Sequence, residues 1–203
     1  MLNYEKAENI FLSFVEKHSL FKCGLEYEII DSLKEIYGED LPERLEKTQG
    51  YFMPTENTVY LIAGQHKDRD AFLQTLQHEI FGHVAINYLW HNQKIELLNS
   101  IEKEFKNPNS ELRETIDMVQ KAYPDVSSKH QAEEVFAYVA ENTSIDLEKK
   151  FKPFSLVRGN TKDKIENIVQ NLAAGIREDC IKQRIYPKTN NDLGVDFSQT
   201  QQK

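Results

Sequence analysis

Leu73-Gln74-Thr75-Leu76-Gln77-His78-Glu79-Ile80-Phe81-Gly82-His83-Val84-Ala85-Ile86-Asn87-Tyr88-Leu89 is the stretch that decides how the chain is read. Leu73, Leu76, Ile80, Val84, Ala85, Tyr88 and Leu89 recur with the period of a core helix. Two imidazoles and a carboxylate, His78, Glu79 and His83, interrupt that apolar pattern within six positions. Burying three such groups is costly unless something satisfies them together, and a metal ion would do so. Paired histidines on a helix with an adjacent glutamate are the donor set of a zinc hydrolase: two nitrogen ligands, and a carboxylate that takes a proton from water.

The usual form of this motif is H-E-x-x-H, with histidines at i and i+4 on one face. Here the second histidine stands at i+5. A helix turns about 100° per residue, so positions i and i+5 lie roughly 140° apart, against roughly 40° for i and i+4. On a regular helix His78 and His83 face different sides. One residue absorbed as a π-bulge would bring them together, and such bulges favour functional sites. Gly82 lies where the widened turn would fall, tolerates the distortion, and lets another backbone approach.

A catalytic zinc site takes a third protein ligand. The candidate lies about fifty residues on, in Ala132-Glu133-Glu134-Val135-Phe136-Ala137-Tyr138, a predicted helix with Ser128 and Gln131 as a capping box. Glu133 and Glu134 point about 100° apart, so one of them reaches the metal. Glu134 shares its face with His130 at i−4 and Tyr138 at i+4 and is the stronger candidate, with Glu133 as the alternative. His130 and Tyr138 are also candidate catalytic donors for a developing oxyanion, with Arg158 behind them. His91 is either a group behind the metal ligands or an exposed side chain.

His78-Glu79-Ile80-Phe81-Gly82-His83 resembles the HExxGH signature of dipeptidyl-peptidase III, a zincin with this expanded spacing. Glu133-Glu134-Val135-Phe136-Ala137 is similar to that family's downstream Glu-Glu-x-x-Ala-Glu helix, with Tyr138 in place of the last glutamate. A closer likeness is to the small zincin-like metallopeptidase domains of phage and plasmid polyvalent proteins. These run as a hairpin, a helix with HExxGH and a later helix with Ala-Glu-Glu, an order this chain follows from about Gly50 to Glu141. The resemblance implies zinc held by His78, His83 and Glu134, Glu79 as general base, and a peptide or protein substrate.

The rest of the chain is read as scaffold around that core. Tyr4, Ala7, Ile10, Phe11, Phe14 and Val15 predict a first amphipathic helix, and Ile29, Ile30, Leu33 and Ile36 a second, over 26–37, stopped by Gly38. Gly50–Met53 and Thr58–Ala63, around Pro54-Thr55-Glu56-Asn57, predict a hairpin. Thr58–Ala63 is the candidate edge strand for a substrate backbone. Asp70 is the expected cap of the metal helix, and Ser110 that of a helix closed by Tyr123-Pro124. Segment 144–160 is read as irregular, 162–184 as an amphipathic helix ended by Tyr186-Pro187, and the polar tail as disordered. The expectation is a mainly α fold with a small β-hairpin or sheet (α+β) around a zincin-like minimal core. A single domain spans 1–186, with the metal core at about 50–141 and a tail over 187–203.

Composition agrees with a globular domain able to bury a core: 203 residues, 39% hydrophobic and 29% charged. A net charge of −8 without a basic patch argues against nucleic-acid binding. Cys23 and Cys180 form neither a CxxC pair nor a disulfide framework, which suggests a reducing compartment. With neither a signal segment nor a membrane span in view, the expected location is the cytoplasm, with no membrane partner. The competing reading is a non-catalytic helical adaptor of a mobile element; another is a zinc hydrolase acting on a different amide.

Overall fold

A computed structural model describes residues 1–20, 25–150 and 161–181. The architecture is mainly α with a small mixed sheet. Helix α1 (Tyr4–Lys17) is followed by strand β1 (Glu26–Ile30) and the short α2 (Lys34–Tyr37). A hairpin of β2 (Gly50–Met53) and β3 (Thr58–Ile62) leads into α3 (Arg69–Gln77), which runs directly into a π-helical segment, His78–Val84. Then come α4 (His91–Glu104), α5 (Arg113–Ala122), α6 (Ser128–Glu141) and α7 (Thr161–Ile181).

The strand order is β1-β3-β2, with β3 parallel to β1 and antiparallel to β2. The hairpin forms where the two β-prone runs flank their polar turn, which Asn57 closes in the left-handed region at φ 52°. Two expectations change here. Residues 26–30 are a strand, not the start of a helix. The Ile29, Ile30, Leu33, Ile36 spacing fits too few positions to fix a period, and the hairpin offers Glu26–Ile30 a complete parallel partner. Only Lys34–Tyr37 is helical, ended by Gly38 at φ 60°, and Ile36 is exposed. Consequently β3 is the central strand, so Thr58–Ala63 is not a free edge; among the described residues β1 and β2 are the edges, and β2 is the one that packs against the π segment.

The core lies where α1, α3, the π segment, α6 and α7 meet the inner face of the sheet. Phe11 and Phe14 of α1, Phe72 and Leu76 of α3, Ile80 and Phe81 of the π segment, and Val135 and Phe136 of α6 are all buried in it. Each large apolar side chain sequestered this way contributes about 1.5–3 kcal/mol. A satellite cluster of Ile30, Leu33 and Ile62 fills the space under the loop after β1. Helix caps shift slightly from expectation: Asp68, not Asp70, accepts the Ala71 N–H at 2.9 Å, and Ser127, not Ser128, accepts from His130. The Ser110 hydroxyl accepts the Leu112 N–H just ahead of α5.

Arg158 and the rest of 151–160, Cys23, Tyr186-Pro187 and the tail lie outside the described residues. Among the described residues no helix is long and apolar enough to cross a membrane.

The contact that sets the geometry of the centre is between the π segment and α6. A Cβ at Gly82 would sit 2.7 Å from both Cα and Cβ of Ala137. Nothing larger than hydrogen fits, because the obstacle is backbone rather than a flexible side-chain end. Gly82→Ala is therefore expected to cost about 1–3 kcal/mol of stability by forcing the two helices apart. Denaturant unfolding of the variant checks this, and an unchanged midpoint would contradict the close approach.

Candidate metal centre

The π segment brings His78 and His83 to one side. Their Nε2 atoms lie 3.3 Å apart, although five positions separate them in sequence. Glu134 reaches in from α6, Oε2 at 3.7 Å from His78 Nε2 and Oε1 at 3.6 Å from His83 Nε2. Donor atoms about 2.0–2.1 Å from a common ion at near-tetrahedral angles stand roughly 3.3–3.4 Å from one another, close to this spacing. His78, His83 and Glu134 thus form a group able to hold a metal ion.

Each imidazole is oriented from behind through its other nitrogen. His78 Nδ1 lies 3.2 Å from Glu141 Oε2. His83 Nδ1 lies 3.6 Å from Glu133 Oε1, and Glu133 Oε2 is 3.1 Å from Lys94 Nζ, itself bonded to Asn87 at 3.1 Å. Carboxylates on the far nitrogens of histidines fix ring orientation and aim Nε2 at the shared centre. This separates the two adjacent glutamates: Glu134 points at the centre, and Glu133 stands behind His83 paired with Lys94. Neither Lys94 nor Glu141 was expected from the sequence. The packing of α4 on α6, and of α6 on the π segment, reveals their place.

Glu79 sits on the π segment facing β2. It is 4% exposed, and its Oε2 is buried without a hydrogen-bond partner among the described residues. Burial pushes its carboxyl above the ordinary range, while His83 and His78 oppose that rise and Glu134 adds to it. The Phe52 N–H of β2 also favours the ionised form. Gly50 allows the strand to lie this close: a Cβ there would meet Thr75 Cγ2 at 2.8 Å and approach the Glu79 side chain at 3.4 Å.

Glu134 carries a second set of neighbours. His130 Nε2 is 3.4 Å from Glu134 Oε1, and the Tyr138 ring lies edge-on to His78 with centroids 4.9 Å apart. Tyr123, at the end of α5, sets its ring 6.4 Å from that of His130, and burial together with the Glu134 charge pushes its phenol up. The sequence reading gives Tyr123 only the task of ending a helix. His91 is exposed at the start of α4 and does not join the centre.

The charge balance of the metal-free protein follows. Burial works against a charge on His78, but Glu134 and Glu141 outweigh it and push the ring up to about 10. Burial likewise opposes the charge on His83, and Glu134 and Glu133 leave that ring raised. Glu133 is held down at about 2 because His83 and Lys94 overcome its burial, and Glu134 is held lower still by His83, His130 and His78.

Compared with family models, curated proteins and solved structures, the chain finds no match.

A ring raised in the fold stabilises it fully below about pH 6.5, its ordinary value, and stops doing so as pH climbs through the folded value. The contribution of His78 in metal-free protein is therefore lost as pH rises toward about 10. That of Glu133 is present above its ordinary carboxylate range and lost as pH falls toward about 2. Because ligand imidazoles must be neutral, metal uptake at pH 7 should expel roughly one or more protons per ion. Calorimetric titrations in buffers of different ionisation enthalpy measure that number, and a value near zero would refute this charge assignment.

Proposed function

We propose that the protein is a zinc-dependent peptidase that hydrolyses peptide bonds with Glu79 as general base. The observation that carries this reading is a single arrangement. Two Nε2 atoms and one carboxylate converge at metal-ligand spacing, beside a buried glutamate with an unpartnered oxygen. A nitrogen–nitrogen–carboxylate set suits zinc, and three protein ligands leave a coordination position open. The sequence resemblance to zincin-like metallopeptidase domains points the same way.

When bound, zinc supplies a polarising charge for the scissile carbonyl and lowers the pKa of an adjacent water. The protein's own residues do the remaining work. Glu79 accepts the water proton and returns it to the leaving amine from a buried position beside both imidazoles. Glu141 and the Glu133–Lys94 pair hold the two imidazoles in orientation. Tyr138 and His130 flank Glu134 and border the space a reacting carbonyl would enter.

The peptide lies along the free edge of β2. The Ile62 N–H donates to the Gln49 carbonyl at 2.9 Å, so alternation along the ladder turns the peptide groups of Gly50 and Phe52 outward. Glu79 already takes the Phe52 N–H, so an added strand would bond to the Gly50 N–H and carbonyl and to the Phe52 carbonyl, which aligns the scissile bond by backbone rather than side-chain contacts.

Metal analysis and cleavage assays test the proposal together. Purified protein should carry zinc near one per chain, and His78→Ala should lose it. Glu79→Gln should retain the metal while cleavage of a peptide library falls by about 10²–10⁴-fold. Undiminished cleavage in that variant would reject the base assignment.

A further inference from the structure

The outer face of the sheet carries a row of side chains that the main core does not use. The register places Glu28 of β1 beside Tyr60 of β3, and Tyr60 beside Tyr51 of β2. The two phenol rings stack, with centroids 4.7 Å apart and planes 12° from parallel. Tyr51 also packs on the satellite cluster of Ile30, Leu33 and Ile62, which anchors it. The Tyr60 hydroxyl donates to Glu56 Oε2 at 2.7 Å, and Glu26, Glu28 and Glu56 are all exposed. That hydrogen bond first, then burial and the charges of Glu56, Glu28 and Glu26, push the Tyr60 phenol up to about 12. The stacked rings thus lie in a negative field, and an aromatic face in such a field attracts a cation.

The row ends at the strand edge where the peptide is placed. Tyr51 turns its own peptide group toward β3, while those of Gly50 and Phe52 face outward. An antiparallel peptide therefore sets one residue opposite Tyr51 in a non-hydrogen-bonded pair, the kind with the closer side chains, about 4.5 Å between Cα atoms. Side chains alternate, so this residue points to the outer face with Tyr51, and its two neighbours point to the face of Gly50 and Phe52. We propose that Tyr51, backed by Tyr60 and the carboxylates of Glu28 and Glu56, forms the subsite for that side chain and selects a basic one, arginine ahead of lysine. The inference rests on the peptidase reading above and names the substrate class it leaves open: peptides with a basic residue close to the cleaved bond. An apolar side chain would cover Tyr51 but gain nothing from the carboxylates, and an acidic one would be repelled. A planar guanidinium stacks on a phenol while its N–H edges still reach water and carboxylates, which a compact ammonium does less well. The row faces solvent and charges there are screened over about 8 Å at physiological ionic strength. The preference is therefore on the order of 10-fold and sensitive to salt.

Mass-spectrometric profiling of peptides cut by the zinc-loaded full chain should show arginine and lysine enriched at one position near the cut. Matched peptides carrying arginine, citrulline, norleucine or glutamate at that position then separate charge from stacking. Arginine should exceed its neutral isostere citrulline by about 10-fold in kcat/KM, through KM, and high salt should shrink the ratio. In a Glu28→Gln, Glu56→Gln double variant the ratio should fall toward one. Tyr51→Leu should weaken the arginine and citrulline peptides alike; because Tyr51 also packs on the satellite cluster, the carboxylate variant carries the test if that one fails to fold. A profile without basic enrichment, equal rates for arginine and citrulline, or a ratio unchanged in the double variant would each overturn the subsite. If the parent cleaves peptides without basic preference, only the subsite falls; if it cleaves none, the peptidase reading falls and the subsite with it.

Discussion

The arrangement depends on one residue's worth of extra turn. In a regular helix His78 and His83 would face different directions, and the widened segment His78–Val84 places their Nε2 atoms 3.3 Å apart. A π turn weakens local hydrogen bonding, so it survives only where surrounding packing fixes it. The segment is held on both sides: Ile80 and Phe81 are fully buried, and Gly82 abuts the backbone of Ala137. That abutment also sets the distance from which Glu134, three residues earlier on α6, reaches both imidazoles. The bulge and the close helix contact are thus one constraint, because relaxing either would pull the third donor away from the other two.

Around that constraint the charges are arranged in layers. Glu134 faces both rings, Glu141 and Glu133 stand behind them, and Lys94 balances Glu133 at 3.1 Å. Partly buried ions at this density are tolerable only because each has a partner of opposite sign within reach. Glu79 departs from that pattern: it is buried, raised in pKa, and has one oxygen with no partner among the described residues. It is on this imbalance that the proposed general-base role of Glu79 rests.

Much of this was legible in the chain. The i+5 spacing with Gly82 in between demanded a deformed helix, and the deformation is there. The preference for Glu134 over Glu133 followed from the face it shares with His130 and Tyr138, and the structure puts Glu134 between the two histidines and Glu133 behind His83. The hairpin followed from two β-prone runs around a polar turn. Residues 26–30 were misread because Ile29 and Ile30 suit either period over so short a run, and a parallel partner thirty residues away decided between them. The error propagated: without β1, β3 looks like an edge, whereas the sheet makes it the middle strand.

Spacing and composition along a single element therefore determined the histidine pair, the need for a bulge and the mainly helical class, because those depend on periodicity that local sequence carries. Tertiary structure alone decided which strand edge faces Glu79, that Glu141 and Lys94 stand behind the histidines, and that Tyr123 sits beside His130. Each of these joins residues on different elements, and the relative placement of packed elements is set by how their side chains interlock, which no periodicity within one segment encodes.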